Sequence, residues 1–281
     1  MPVRLPVALA AVIVALLLAP AAHATTETAA GGQVTATFSY TKRVRQGFAQ
    51  YSDLRITIVR AGTLLFDGPV TCRYCEGADP AGQGLTPSIR VRDLDGDAEP
   101  EVLLDLYTGG AHCCSVLGVY RLASDAGHYI PGFTNFGDPG YVIRDLNGDG
   151  KPELRTADDH FAYKYTSYVE SGLPLLIYDY RAGALVNVTR HFKGRVLRDA
   201  RRWLRYAHQL ARQRDGDVRG FLAAYVADEY TAGHGSRGVR EVRRAIRHHL
   251  IDKGPHTHSI GPYRAAYLRS LLRFLHRLGY R

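Results

Sequence analysis

RDLDGDAEPEV at residues 92–102 returns as RDLNGDGKPEL at residues 144–154. Each copy places at least four acidic or amide side chains within nine residues, between short segments that read as strands. Carboxylates this close repel one another, and they cannot be buried without a compensating charge. The repetition therefore predicts two equivalent strand–loop–strand units, each compensating its acidic loop in the same way.

The oxygen-bearing side chains fall at positions 1, 3, 5 and 9 of each loop. In loop one (residues 93–101) they are Asp93, Asp95, Asp97 and Glu101, and in loop two (residues 145–153) they are Asp145, Asn147, Asp149 and Glu153. Alternate side chains of a tight loop converge on one point, where the backbone carbonyls of Glu99 and Lys151 at position 7 add an oxygen. A set of about six to eight oxygens suits Ca²⁺, whereas Zn²⁺ prefers Cys or His. The spacing predicts two Ca²⁺ sites, and the alternative is a pair of metal-free Asp-Gly turns.

The two loops differ at one position that affects their backbone conformation. Gly150 of loop two can take a positive φ angle, which Ala98 at the equivalent position of loop one resists. We therefore expect loop two to be the better formed.

FGDPGYVIRDLNGDGKPELRT, residues 136–156, resembles an FG-GAP repeat, also described as VCBS-like, and residues 88–106 resemble it more loosely. The resemblance implies blade-like sheets, Ca²⁺ bound by the loop carboxylates, and a role in adhesion or ligand recognition. The β part has room for about three blades of roughly fifty residues. A propeller ring typically needs about four to eight blades, so we do not expect one to close within the chain.

The hydrophobic period changes near residue 190. Before it, short segments rich in Val, Ile, Leu and Tyr alternate with Gly, Pro and Asp, as in strands. After it, apolar residues of GRVLRDARRWLRYAHQLARQR (194–214) fall three and four apart, and three further helices are predicted at 217–230, 236–250 and 262–279. We predict a mainly β protein with a C-terminal α part (α+β). Blades, a partial propeller or a sandwich occupy residues 25–190, and a small basic bundle occupies 191–281.

Residues 1–24 have the features of a bacterial signal peptide. Arg4 precedes an apolar run from Leu5 to Ala19, and Ala22-His23-Ala24 forms a cleavage site of small residues. The run of about fifteen residues is shorter than the roughly twenty that span a bilayer, and no later stretch is apolar enough to do so. We expect a secreted or cell-surface protein without a membrane span after cleavage.

Charge divides the chain as well. From Arg190 to Arg281 there are 21 Lys and Arg against 7 Asp and Glu, whereas the rest of the chain has 15 against 20. Arginines recur on one face of the first helix and of the last; they are Arg198, Arg201, Arg202 and Arg205, and Arg269, Arg273, Arg277 and Arg281. Such stripes suit an anionic wall polymer, lipid headgroups or extracellular nucleic acid, and a solvated Arg-rich face is the alternative.

The four cysteines occur in two segments, TCRYC (71–75) and GGAHCCS (109–115). An even number in an exported chain favours disulfides. Two bridges between the segments are preferred, because a link between the neighbours Cys113 and Cys114 is strained. Links of Cys72 to Cys75 and Cys113 to Cys114, or a zinc site, remain alternatives.

HFAYKYTSY, residues 160–168, offers Phe161, Tyr163, Tyr165 and Tyr168 as a stacking platform for sugar or peptide, or else as core residues of a strand. Histidines such as His112, His160, His234, His256 and His258 match no recognised catalytic signature, so no catalytic residue is predicted. The sequence favours a Ca²⁺-stabilised binding or structural module whose ligand is a carbohydrate or protein. An extracellular hydrolase is the alternative, and it would require a concave site that joins a histidine to a carboxylate.

Overall fold

The computed structural model describes residues 23–75, 78–80, 87–110, 112–125, 127–213, 216–252 and 261–281. Their strands form three antiparallel sheets that follow one another along the chain. The first sheet has the order β1-β2-β3-β4, in which each strand pairs with the next. Its strands are β1 (His23–Gly31), β2 (Val34–Arg45), β3 (Phe48–Arg60) and β4 (Thr63–Pro69).

The second sheet has the order β5-β7-β8-β9, and β6 also pairs with β7. The third has the order β10-β11-β12-β13. The strands of the second sheet are β5 (Asp79–Pro80), β6 (Ile89–Arg92), β7 (Glu101–Tyr107), β8 (Ser115–Leu122) and β9 (Tyr129–Asn135). Those of the third are β10 (Val142–Arg144), β11 (Glu153–Ala157), β12 (Leu175–Arg181) and β13 (Ala184–Asn187).

The two acidic loops occupy equivalent places in the second and third sheets. Loop one joins β6 to β7, with Arg92 opposite Glu101 in the register, and loop two joins β10 to β11, with Arg144 opposite Glu153. Each loop therefore closes a hairpin of the same register, as the repeated sequence predicts.

Tight turns join the strands of the first sheet. Ala61 and Gly62 form the turn between β3 and β4, with φ angles of 47° and 80° that suit a tight hairpin. The hairpin of β2 and β3 extends to a turn at Gln46 and Gly47. Residues 41–53 in its outer part are largely polar and lack an apolar alternation, so the hydrophobic pattern does not indicate a strand there.

Four α-helices follow the sheets, close to the predicted segments. They are α1 (Lys193–Gln213), α2 (Arg219–Thr231), α3 (Gly235–Arg247) and α4 (Arg264–Arg277). α1 buries the stripe Val196, Ala200, Trp203 and Ala207, as its period predicts. α2 is buried almost all round and forms the centre of the helical part.

Three apolar clusters hold these elements together. One joins the first sheet to the second through residues such as Phe38, Ile56 and Leu104. Another joins the second sheet to the third through Leu94, Leu103, Leu117 and Leu154. The last packs the helices around Phe161, Tyr165 and Tyr267.

Strands account for 37% of the described residues and helices for 30%, which confirms the α+β class with a C-terminal helical part. The three described sheets do not close into a propeller ring. The predicted signal peptide lies outside the described residues except for His23 and Ala24, which belong to β1. Among the described helices, none combines the length and the apolar character that a membrane span requires.

Candidate functional site

The first aspartate of each loop fixes the loop backbone in the same way. Asp93 accepts hydrogen bonds from the backbone N–H groups of Gly96 (2.7 Å) and Ala98 (3.0 Å). Asp145 accepts the equivalent bonds from Gly148 (2.6 Å) and Gly150 (3.0 Å). These bonds hold the pKa of Asp145 below its ordinary value, so its carboxylate stays charged.

The last acid of each loop is buried and also holds the loop. Glu101, which is 5% exposed, accepts a bond from the N–H of Leu94 (2.9 Å), and Glu153, which is 3% exposed, accepts one from that of Leu146 (2.7 Å). The fifth position completes the equivalence, because Asp97 and Asp149 each accept a bond of 2.8 Å from the N–H of position 7. The two loops therefore share one hydrogen-bond frame, which fixes their carboxylates in equivalent positions.

Loop one brings three of its predicted ligands together. One carboxylate oxygen from each of Asp93, Asp95 and Glu101 lies within 4.8 Å of the others. Oδ1 of Asp95 is buried and has no hydrogen-bond partner. A buried carboxylate oxygen without a donor requires a cation or a proton, so this donor set fits Ca²⁺.

Burial dominates the electrostatics of loop one. It raises the pKa of Glu101 to about 8, and the Asp95 charge raises it further against the opposing effect of the Leu94 N–H. Burial also raises the pKa of Asp95, with a contribution from the charge of Asp97. In loop two, burial raises the pKa of Glu153. A bound divalent cation would remove the cost of keeping these groups ionised.

The expected difference between the loops at position 6 is not found. Ala98 adopts a φ angle of 70°, close to the 90° of Gly150, and donates the same hydrogen bond at the same length. Ala98 thus takes a conformation that its Cβ disfavours, and the hydrogen bond from its N–H to Asp93 holds it there. That loop two is the better formed stays a prediction. The left-handed backbone at alanine costs about 1 kcal/mol, which that frame offsets.

The residues at position 7, predicted to contribute their carbonyls, have different side-chain surroundings. Glu99 forms a two-point ion pair with Arg60 of β3, at 2.8 and 2.7 Å, and so connects loop one to the first sheet. Lys151 of loop two lies against Gly96 of loop one. On the other side of loop two, Arg195 of α1 donates to the carbonyl of Leu146 at 2.8 Å. The loops therefore lie at the junctions between the sheets and the helices.

The structure corrects the predicted aromatic platform for two of its four residues. Phe161 (2% exposed) and Tyr165 (1% exposed) are core residues that pack edge to face on Phe274 and Tyr267. Tyr163 and Tyr168 remain outside this core, and His112 stacks on Tyr168 with ring centroids 4.2 Å apart. The segment does not form the strand of the alternative interpretation. It contains two short 3-10 helices, Asp159–Phe161 and Tyr168–Glu170.

The structure places the cysteines next to each other within their segments, Cys72 beside Cys75 and Cys113 beside Cys114. This differs from the preferred sequence prediction of bridges between the two segments. The TCRYC segment is a short turn in which the N–H of Cys75 donates to the carbonyl of Cys72 at 3.2 Å, so the two thiols lie close without a long-range constraint. That the thiols are oxidised in the mature protein stays a prediction.

Two concave places join a histidine to a carboxylate. Nδ1 of His160 lies 2.7 Å from Oδ1 of Asp158, whose other oxygen accepts a bond from Tyr280. Nδ1 of His112 lies 4.0 Å from Asp138, which also accepts a bond from the Tyr168 hydroxyl. Within the described part of the chain, no Ser, Thr or Cys is hydrogen-bonded to either ring. The histidines at 256 and 258 lie outside the described residues.

Sequence reasoning missed several residues that line the cavities beside α1. They include Arg155 of β11 and, beyond the predicted arginines of α1, Gln209 and Gln213 of the same helix. A signal was present, because these α1 residues recur three and four apart next to the buried stripe. The partner wall, residues 155–157 and 173–175, comes from distant sequence and could not be assigned to it.

Comparison with known proteins finds one family model and two curated relatives. A family described as the sll0997 C-terminal domain matches residues 197–279, which contain most of α1 and all of α2, α3 and α4. The probable thylakoid lumen protein sll0997 of Synechocystis is 28% identical over 211 residues, which are 74% of this chain and 59% of that protein. The protein y4bJ of Sinorhizobium fredii is 34% identical over 123 residues, which are 43% of this chain and 19% of that protein.

The chain thus spans less than two thirds of the length of either relative. No solved structure matches the chain.

Proposed function

We propose that this protein is an exported binding or structural module whose second and third sheets are each closed by a Ca²⁺-binding loop of the FG-GAP type. The observation that carries the proposal is the duplicated frame, in which equivalent acids bind equivalent N–H groups around a carboxylate cluster. The oxygens of Asp93, Asp95 and Glu101 would hold the ion in loop one. Those of Asp145, Asn147 and Glu153 would hold it in loop two.

Export is supported by the signal-peptide pattern of residues 1–24 and by the printed name of the Synechocystis relative, a probable thylakoid lumen protein. The proposal places the mature protein outside the cytoplasmic membrane, either secreted or at the cell surface. Ca²⁺ there would stabilise two hairpins whose loops contain few apolar side chains, so that ion-binding free energy becomes folding free energy.

Calorimetric titration of the purified mature chain with CaCl₂ tests the proposal. We expect two sites in the wild type, loss of one in Asp93→Ala and loss of the other in Asp145→Ala. Asp125→Ala removes an exposed carboxylate outside both loops and serves as the matched control, for which two sites should remain. Ca²⁺ binding that survives in the double variant Asp93→Ala/Asp145→Ala would refute the proposal.

A hydrolase built on the same scaffold is the second candidate. The observation that favours it is the contact of His160 with the buried Asp158 in a cavity of about 440 Å³, which Thr189 and Thr231 also line. A buried carboxylate that orients an exposed imidazole is the arrangement of a general base. Its test is His160→Gln in an assay against ester, peptide and glycoside substrates, where an activity unchanged by the substitution would exclude this site.

A further inference from the structure

A groove runs along α1 between this helix and the ends of β11 and β12, the central strands of the third sheet. One wall consists of α1 residues from Arg195 to Gln213, and the other contains Arg155 and Ala157 of β11 with Leu173 and Leu175. Two cavities, of about 520 and 770 Å³, meet at Arg202, which lines both. At a rise of about 1.5 Å per residue, this stretch of α1 spans about 27 Å, which fits a chain-like ligand better than a single small ion. We call it the α1 groove.

One end of the α1 groove is strongly basic. Six arginines line it against one carboxylate, that of Asp199; they are Arg155, Arg195, Arg198, Arg201, Arg202 and Arg205. Asp199 is already bound to Arg202 at 2.7 Å and to the Trp203 indole at 2.9 Å.

In the described ranges, no acidic side chain forms an ion pair with Arg198, Arg201 or Arg205, and all three are exposed. Such crowding of guanidinium groups favours an anion that they can bind with two hydrogen bonds each.

The other end is aromatic and uncharged. Tyr206 contacts Trp203 and Phe221, with ring centroids 5.9 and 5.7 Å away, and is 41% exposed. The amides of Gln209 and Gln213 line the same cavity, where they offer donors and acceptors together. Apart from Arg202 and His112, its lining carries no titratable group other than tyrosine. Aromatic edges and amides of this kind suit sugar rings, which have apolar faces and hydroxyl groups.

We propose that the α1 groove binds an acidic oligosaccharide, with carboxylate or phosphate groups at the arginines and neutral sugar rings at Tyr206 and the two glutamines. This inference rests on the proposed binding function and names its ligand class. Single-stranded nucleic acid fits less well, because its phosphates would continue along the aromatic end, where Arg202 is the one arginine. A flat membrane surface does not enter a groove between a helix and a sheet.

The direct test is titration with short hyaluronan fragments, which alternate a uronate with a neutral N-acetyl sugar, and with alginate fragments, which are uronate throughout. Chitin fragments supply the neutral comparison, and oligothymidylate supplies the nucleic-acid arm. We expect at least one acidic glycan to bind at least tenfold more tightly than chitin fragments and more tightly than oligothymidylate. No binding of either acidic glycan, or tighter binding of oligothymidylate, would overturn the proposal.

Matched variants locate the site. Arg198→Gln/Arg201→Gln/Arg205→Gln should weaken acidic glycan binding at least tenfold and flatten its salt dependence. Arg240→Gln/Arg243→Gln/Arg247→Gln removes three exposed arginines with the same spacing on α3, and it should change the affinity less than twofold. An equal loss in both variants would show that net charge, and not the groove, binds the glycan. Tyr206→Ala should weaken binding about fivefold to tenfold at unchanged melting temperature, and an unchanged affinity would refute the sugar contact.

The same protein samples separate this inference from the proposed function. Calcium stoichiometry tests the loops, and glycan affinity at saturating Ca²⁺ tests the groove. Acidic-glycan binding by a wild-type protein that binds no Ca²⁺ would refute the calcium proposal alone. Two Ca²⁺ sites without acidic-glycan binding would refute the groove proposal alone.

Discussion

Lys151 of loop two lies directly over Gly96 of loop one. A Cβ atom on Gly96 would come within 2.7 Å of Cε and 2.9 Å of Cγ of Lys151, closer than carbon atoms approach. Gly96 has a φ angle of 75°, so the absence of a side chain serves both the loop backbone and this contact. The two acidic loops are therefore packed on each other, and a change in one is expected to reach the other.

The substitution Gly96→Ala tests this contact. We expect it to lower the free energy of unfolding by about 1 kcal/mol for the left-handed backbone and by a further amount for displacing Lys151. Gly148→Ala, at a φ angle of 85° with no atom within 4 Å of its new Cβ, should cost the backbone part alone. Urea unfolding at saturating Ca²⁺ measures both.

A double-mutant cycle with Lys151→Ala completes this prediction. The excess cost of Gly96→Ala should disappear when Lys151 is already truncated, because the clash is then absent. Equal costs of Gly96→Ala in both backgrounds would contradict the contact.

The repeat and the helical period explain why so much of the architecture follows from the sequence. Residues 92–102 and 144–154 determine equivalent hairpins because the loop hydrogen bonds are local, from Asp93 to Ala98 and from Asp145 to Gly150. The contact of Lys151 with Gly96 and the pairing of Glu99 with Arg60 connect distant segments. Local sequence patterns do not indicate contacts between distant segments, so the contacts between the sheets could not be predicted.

Arg219 provides a prediction of stability in the helical part. Its side chain is fully buried and binds both oxygens of Asp217, the carbonyls of Pro262 and Tyr165, and the face of Tyr263. Arg219→Met removes the guanidinium donors of these carbonyls and of the Asp217 carboxylate, which keeps the backbone N–H of residue 219 at 3.1 Å. We therefore expect a loss of about 3–5 kcal/mol. Chemical denaturation followed by circular dichroism measures it.

The matched control is Arg55→Met in the first sheet. Arg55 binds Asp67 through the same Nε and Nη2 atoms, at 2.8 and 2.7 Å, but its side chain is 48% exposed. A surface pair of this kind is worth about 0–1 kcal/mol. Comparable losses in the two variants would mean that burial does not set the value of the Arg219 network.

The buried carboxyl group of Asp228 in α2 is expected to make the free energy of unfolding depend on pH. Its carboxyl is fully buried, and Oδ1 accepts a bond of 3.3 Å from Leu175 while Oδ2 has no partner. Burial raises its pKa well above the ordinary value; the charge of Asp199 raises it further, and Arg202 opposes both. The protonated form is favoured in the folded state, so its stabilisation is complete below about pH 4 and is lost as pH rises through the folded pKa.

Asp228→Asn removes this titration and should be more stable than wild type above neutral pH, by on the order of 1 kcal/mol, with a flatter pH profile. Asp252→Asn is the control of opposite sign. The His249 contact lowers the pKa of Asp252, so its contribution is present above the unfolded pKa and lost as pH falls. Unfolding free energies between about pH 2 and pH 9 test both, because the Asp252 contribution is lost only below its ordinary pKa. Parallel profiles for wild type and Asp228→Asn would contradict the assignment.

The cysteine pairing can be read by mass spectrometry without reduction. Trypsin cleaves after Arg73, between Cys72 and Cys75, so a Cys72–Cys75 bond should hold two tryptic pieces together. Cys113 and Cys114 should leave in one peptide that is 2 Da lighter than its reduced form. A peptide that joins Cys72 or Cys75 to Cys113 or Cys114 would instead support the bridge between segments, and stoichiometric zinc would exclude both pairings.

The aromatic residues show where the sequence was insufficient for the candidate site. The spacing of Phe161, Tyr163, Tyr165 and Tyr168 allowed either an exposed platform or core residues of a strand. In the structure, Phe161 and Tyr165 pack beneath α4. The burial of each aromatic residue depends on how the C-terminal helices pack against residues 159–173. The sequence of this segment alone does not determine that packing. Spacing was sufficient for the carboxylate loops because their ligands lie within nine residues of one another.

Removal of Ca²⁺ should loosen the two loops in a defined order. Loop one holds four carboxylates at its ligand positions, whereas Asn147 reduces loop two to three, so the empty loop one suffers the stronger repulsion. Loop two is also held by Arg195 of α1 through the carbonyl of Leu146. Hydrogen exchange with a chelator should therefore accelerate first in residues 89–106 and then in 141–156, while the buried helix α2 stays protected. A uniform increase in exchange, or one that begins in the C-terminal helices, would contradict this prediction. It would show that the free energy of ion binding stabilises the whole fold and not the two loop hairpins in particular.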